Sequence, residues 1–234
     1  ENLTYYSEHS WADANCIVPR HCRCGLTEGE VLAHNYEGDI CTLCGMGDGM
    51  FYISTAQQFR LFTYHVNTGN KTANAILMAD IDLENINHDI ICETGLYYKG
   101  YGEDLGYAGI FDGNGYTISG LRINVTKQPS GTGSYLYLGL FANNAGTIKN
   151  LHTQGKIENK TGSIYAGGVA AKNSGTIEGC SNNMEITINN NYLIYIGGIV
   201  GYNSGSVKAC YNAADIVASC SSTGYVGGIS GYGY

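Results

Sequence analysis

From Tyr135 onward the apolar positions recur at a fixed long step. The segment Gly139–Ile148 (GLFANNAGTI) aligns with Gly168–Ile177 (GVAAKNSGTI) and Gly198–Val207 (GIVGYNSGSV) at steps of 29 and 30 residues. A further copy opens at Gly228–Tyr232, and Gly109–Ile118 (GIFDGNGYTI) fits the same frame 30 residues upstream. A fixed period of this size signals a repeat architecture. Within each unit the apolar residues are single aliphatics separated by Asn, Ser and Gly, the pattern of short strands and tight turns. No unit holds a helical period, which excludes helical arrays. The pattern predicts a mainly β fold: a parallel β-solenoid of rungs about 30 residues long, each burying its aliphatic ridge on the next. One ridge is Val169, Ile199 and Ile229, another Ile177 and Val207; Asn144, Asn173 and Asn203 would stack as a ladder at a turn. The recurring glycines are expected to supply left-handed corners.

Upstream the period changes. Ser54-Thr55-Ala56-Gln57 reads as a capping box, Phe59, Phe62 and Val66 follow at near-helical spacing, and Gly69 reads as the stop. The expectation is an amphipathic helix over residues 54–68 that caps the first rung. From Ala75 the chain alternates, with Leu77, Ala79, Ile81 and Leu83 on one face and Met78, Asp80, Asp82 and Glu84 on the other, as in a half-buried strand. The domain reading is a Cys-rich module over 1–48 and a solenoid with its capping helix over 49–234.

The segments 197–212 (GGIVGYNSGSVKACYN) and 167–182 (GGVAAKNSGTIEGCSN) resemble the GLUG-type repeat of bacterial surface proteins and adhesins. The similarity extends upstream through Phe111–Leu121 and Ala79–Leu83. It implies a solenoid scaffold at the cell surface or outside the cell, and no particular ligand.

Residues 1–48 hold five of the nine cysteines and carry eight acids against Arg20 and Arg23. Cys22 and Cys24, then sixteen residues, then Cys41 and Cys44 approximate the paired knuckles that clasp a tetrahedral zinc, with Cys16 and His34 as substitute ligands (His9 and His21 also lie within reach). The segment is similar to small ribbon modules of Gram-positive surface proteins, although its first knuckle has one spacer residue where two are usual. One structural zinc and a set of disulfides are both open as the staple that so short a module needs.

Other chemistry is sparse. Net charge is −8 with 14% charged residues, so there is no basic stripe for nucleic acid. No run of 18 apolar residues is present to span a membrane. No basic and apolar leader occurs, which reads as a mature chain if the protein is exported. The four N-x-S/T triplets (Asn2, Asn70, Asn124, Asn159) are about as many as chance supplies. Asp80 and Asp82 share a face at a separation compatible with paired glycosidase carboxylates, at about 7 Å. Asp80, Asp82 or Asp112 could serve calcium, and a solvated acidic face is the everyday reading of all three. Tyr97, Tyr98 and Tyr101 form a Tyr/Gly loop that could stack on sugars or pack over a rung edge. Cys180 and Cys210 lie one period apart, as a disulfide or, preferably, as two buried thiols. Tyr165, Tyr195 and Tyr225 fall into an aromatic ladder.

The functional expectation is a non-enzymatic extracellular structural protein. It would assemble head to tail with copies of itself through an open last rung at Tyr225, Val226, Ile229 and Tyr232, the competing explanation being a piece of a longer array whose further repeats cover that rung. The alternative partner is a cell-surface glycan or protein met by the tyrosine loop; a polysaccharide-active enzyme using Asp80 and Asp82 stands third.

Overall fold

The computed structural model describes residues 11–12, 14–17, 19–22, 27–85, 90–91, 106–124 and 135–233. The fold is a parallel β-solenoid whose rungs pass through four sheets in turn. The first sheet stacks Met50–Ile53, Asn74–Leu77, Ile110–Asp112, Thr147–Lys149, Thr176–Glu178 and Ser206–Lys208, with Met46–Gly47 added antiparallel at its front edge. The second stacks Ile81–Asp82, Thr117–Asn124, His152–Asn159 and Ser181–Asn190, then Tyr211–Asn212 and Ile216–Cys220. The third is Tyr135–Leu138, Ser163–Gly167, Ile194–Gly197 and Gly224–Gly227; the fourth is Phe141–Asn144, Ala170–Asn173, Val200–Asn203 and Ser230–Gly233. Rungs are in register over the repeats, with Ile148 on Ile177 on Val207 and Asn144 on Asn173 on Asn203.

The aliphatic ridges point inward. Leu140, Val169, Ile199, Ile148 and Ile177 are fully buried, whereas Ile229 in the last rung is 37% exposed. The ladder at the turn into the first sheet is made by side-chain amides. Asn144 Nδ2 donates to Asn173 Oδ1 at 2.7 Å, and Asn173 Nδ2 donates to Asn203 Oδ1 at 2.8 Å. Replacing Asn173 with Ala takes an acceptor from buried Asn144, which keeps Gly146 O and Thr176 O, and a donor from half-buried Asn203, so Asn173→Ala is expected to cost about 1–3 kcal/mol in urea unfolding. A loss below about 0.5 kcal/mol would show the ladder to be decorative.

Three expectations need correction. Gly146, Gly175 and Gly205 do not turn left-handed corners; a Cβ on Gly175 would collide with the Gly146 carbonyl, and one on Gly205 with that of Gly175. They are small because stacked backbones approach closely there. The left-handed corner lies at Asn150, Gly179 and Ala209, just before the second sheet. Second, the upstream segment does not share the repeat frame: Phe111 pairs with Ile148, not with the position 30 residues on, and Ile118 pairs with Thr153. A longer connection precedes Tyr135, so identical spacing there was coincidental. Third, the alternating run from Ala75 is not one strand. It turns between Asn74–Leu77 in the first sheet and Ile81–Asp82 in the second, keeping Leu77, Ile81 and Leu83 buried through the corner.

The helix spans Ala56–Asn67 and closes the front of the core. Its cap is one residue later than the motif predicts: Thr55 accepts from Gln58 N, and Gln58 Oε1 accepts from Ser54 N at 2.8 Å. Gly69 follows the last turn with φ +121°, as expected of the stop. Phe59, Phe62 and Val66 face the first rungs, where Phe59 and Phe62 pack edgewise against Phe111 and Tyr107. Leu61, on another side of the helix, packs against Cys16, Cys41 and Cys44. The division proposed at 48/49 therefore falls in the turn of a hairpin that joins the Cys-rich segment to the first sheet.

Candidate functional site

The chemistry of the chain is concentrated in the Cys-rich segment. Tyr36–Glu37 and Ile40–Cys41 form a short hairpin, and the chain then folds tightly so that Gly45 N donates to Cys41 O at 2.8 Å. Gly45 has φ +75°, and a side chain there would strike the Tyr52 carbonyl, so this turn requires glycine. A second link, Leu32 N to Asn15 O at 2.8 Å, draws the Cys16 segment alongside the His34 segment. The helix contributes Gln58, whose Nε2 donates to Thr42 O between the two knuckle cysteines.

As a result the ligand atoms of Cys16, His34, Cys41 and Cys44 all lie within 4.8 Å of one another, with the three cysteines buried and His34 exposed. Cys16 Sγ is 3.6 Å from Cys41 Sγ, and Cys44 Sγ is 3.5 Å from His34 Nδ1. The three cysteines are free thiols. Such a group could hold a metal ion. Burial pushes the Cys16 thiol up, aided by its hydrogen bonds to Cys44 and Cys41, and burial likewise raises Cys44. Burial would raise Cys41 too, but hydrogen bonds from the Cys44 backbone, the His34 ring and the Leu43 and Asn35 backbones outweigh it and hold the thiol down to about 6.

Beside the second knuckle lie both substitutes that the sequence offers, Cys16 and His34. Cys24 lies outside the described residues, and Cys22 is described only as backbone, in Arg20–Cys22 paired with Trp11–Ala12 and Thr27–Glu28. Sequence spacing sets Cys22 and Cys24 with Cys41 and Cys44, and the described geometry brings Cys16 and His34 to that same pair. The Asn15–Leu32 link, which a reader of the sequence has no signal for, brings Cys16 in.

The other candidates separate. Tyr97, Tyr98 and Tyr101 lie outside the described residues, as does Asn2. Asp80 Oδ1 accepts from Thr117 N at 2.7 Å and so ties its turn to the next rung, while Asp82 Oδ1 accepts from Glu84 N at 2.8 Å and so pins its own turn. Asp112 meets Lys149 at 3.0 Å on the next strand; burial opposes its ionisation, but the Lys149 contact and the Asn114 backbone hold its carboxyl below the usual range. Among the described residues none of these aspartates joins a group of three candidate metal ligands. Asn159 is buried, its Oδ1 accepting from Thr161 N. Cys180 and Cys210 are free thiols in register, Cys180 N donating to Cys210 Sγ.

The tyrosine ladder forms and is larger than expected. Tyr135 stacks on Tyr165 with ring centroids 4.5 Å apart, and Tyr195 on Tyr225 at 5.0 Å and 7°. Tyr202 and Tyr232 make a second column, 5.5 Å apart, meeting the first edge to face. The 30-residue spacing of Tyr202 and Tyr232 was the available signal for it. Rings stacked along the solenoid axis hide their faces from one another, so the columns bind rung to rung. In the last rung Tyr225, Val226, Ile229 and Tyr232 are between 37% and 50% exposed.

No family model matches the chain, and a search of curated proteins finds no match. Among solved structures the chain is similar to a candidate immunoglobulin A1 protease from Bacteroides ovatus, at 18% identity and TM-score 0.34, over 81% of this chain and 85% of that one. A likeness so distant says nothing about activity. The GLUG-type resemblance rests on the repeat residues alone.

Proposed function

We propose that this chain is a non-enzymatic structural protein working outside the cell, a solenoid that extends by self-association through its last rung. The observation that carries the reading is the character of that rung. Ser206–Lys208, Gly224–Gly227 and Ser230–Gly233 each stand at the outer edge of their sheet. Val226 and Ile229, whose equivalents Ile196 and Ile199 are fully buried one rung earlier, are exposed beside them. Strand edges next to apolar side chains are templates for one more rung, which a second copy or following repeats of the same array could each supply, and the self-association reading takes the second copy. A contact between the last rung of one molecule and the front of the next does not close, so it builds a fibre. Asp80 and Asp82 serving as turn acceptors support a non-catalytic reading of that face.

The Cys-rich segment is read as a structural zinc site. Zinc bonds of about 2.3 Å to sulfur and 2.0–2.1 Å to nitrogen put tetrahedral ligands about 3.5–3.8 Å apart. The 3.6 Å sulfur pair and the 3.5 Å sulfur–nitrogen pair match those edges. Four protein ligands leave no open position, which is the arrangement of a structural and not a catalytic ion. The ion would hold the Cys16, His34 and Cys41–Cys44 segments against Leu61 of the capping helix.

Assembly is tested by sedimentation and electron microscopy of the full chain, and of the same chain without residues 224–234. Filaments from the first and monomers from the second are expected. A monomer at high concentration would remove the assembly reading. A closed dimer would show two last rungs pairing with each other, against head-to-tail growth.

A further inference from the structure

The outer surface of the second sheet carries a trough of about 700 Å³ that none of the roles above uses. It is built into the backbone. Asn182 points inward and closes a tight bend, its Oδ1 accepting from Met184 N at 2.9 Å and its Nδ2 donating to Met184 O at 3.2 Å. The same Nδ2 donates to Asn212 Oδ1 at 2.7 Å, and Asn212 in turn donates to Ala214 O, repeating the bend one rung on. One rung earlier Gly155 occupies the bend with φ +151°, beside a bulge between Ile118 and Leu121 where Gly120 has φ +65°. Gly120, Gly155 and Ala214 therefore leave the floor of the trough almost without side chains.

Two rows of outward residues flank the floor. Gln154, Asn183 and Ala213 follow one another on one side, and Lys156, Glu185 and Asp215 on the other, with Gln154 opposite Asn183 and Lys156 opposite Glu185 in register. Asp82 closes the front. From Asp82 to Asp215 the trough crosses four rung steps, about 19 Å at about 4.8 Å per step.

We propose that this trough binds a linear, uncharged oligosaccharide lying along the solenoid axis. Amides that both donate and accept, alternating with carboxylates that accept, suit a ligand dense in hydroxyl groups. Among the described residues no aromatic or large aliphatic side chain lines it, so they offer nothing to an apolar ligand. Asp82, Glu185 and Asp215 outnumber Lys156, which is itself paired with Glu158 at 3.1 Å, so a polyanion is repelled. Amides at two successive rungs (Gln154, Asn183) and carboxylates at two (Glu185, Asp215) spread the polar groups along the axis, which favours an extended chain over a compact molecule. The back of the trough, Ala213, Ala214 and Asp215, belongs to the last rung, whereas Gln154 and Asn183 lie two rungs and one rung in front of it, so variants at those two positions test binding without altering the last-rung edge.

The test is calorimetric titration of the full chain with neutral hexose oligosaccharides, with polyuronate oligomers and amino-sugar oligomers as comparators. Neutral oligosaccharides are expected to bind with little dependence on salt. Ala213→Trp, at an exposed position, fills the trough and is expected to weaken binding at least tenfold. The double variant Gln154→Ala/Asn183→Ala, which removes exposed amides only, is expected to weaken it similarly with an unchanged unfolding transition. No binding of neutral oligosaccharides, binding only of the charged comparators, or full affinity in the double variant would overturn the proposal.

Discussion

Ile199→Asp is expected to lower the free energy of unfolding by about 4 kcal/mol, the largest effect of any single substitution considered. Ile199 is fully buried between Val169 and the Ile229 rung, its backbone carbonyl accepting from Val169 N and Ala170 N and its N donating to Ile229 O. The surrounding side chains are aliphatic, with Val169, Ala170, Ile196 and Val200 all buried. A carboxylate there finds neither water nor a cation, and either stays charged at a high desolvation cost or takes up a proton and leaves a buried hydroxyl unpartnered. Ile229→Asp is the matching control. The side chain is the same and the register equivalent, but the position is 37% exposed, so the carboxylate keeps much of its water and a cost of about 1 kcal/mol or less is expected. Urea unfolding of the two variants measures the difference directly. Equal losses, or a near-wild-type midpoint for Ile199→Asp, would refute the inward face assigned to this ridge.

Removing the proposed zinc is the second large effect expected. The purified chain is expected to carry about one zinc per molecule, and a strong chelator, or Cys41→Ser, is expected to release it. A site of four protein ligands draws much of its segment's folding free energy from the ion, because no such site pre-exists in the unfolded segment. Hydrogen exchange should then rise sharply over residues 14–45. The repeats should remain protected, because their hydrogen bonds run rung to rung. Between the two, the capping helix should respond partially: Leu61 loses its partners in the cysteine cluster while Phe59 and Phe62 keep theirs in the core. Cys22→Ser separates the ligand set from the paired-knuckle reading of the sequence. Retention of the ion in that variant supports Cys16 and His34 as ligands; loss of the ion would restore Cys22. A metal-free protein whose Cys16, Cys41 and Cys44 are in disulfides would end the zinc reading.

Much of the solenoid was legible in one dimension because stacking turns a spacing into a contact. When rungs are 29 or 30 residues long, residues at that step must lie side by side, so the Asn144–Asn173–Asn203 ladder and the Tyr165–Tyr195–Tyr225 column follow from counting. The inward ridges follow from the same count together with the preference of aliphatics for the interior. The capping helix was also legible, from its apolar spacing and from Gly69, though its first turn was placed a residue early because Ser54 and Thr55 are both competent caps.

What counting could not supply is whatever depends on chain segments crossing at no fixed interval. The group of Cys16, His34, Cys41 and Cys44 needs Asn15 beside Leu32, a contact with no periodic signature, and so spacing alone did not single it out. The role of Gly146, Gly175 and Gly205 needed the distance between stacked backbones, since a conformational demand and a steric one both select glycine. The trough needed the bend that Asn182 and Asn212 pin, which turns outward residues in separate rungs into two facing rows. Period and polarity along the chain determined that this protein is a solenoid and which residues stack. Which cysteines meet, where the backbone bends and which surfaces stay open were decided only by the tertiary structure, because those contacts depend on how rungs and head pack in three dimensions.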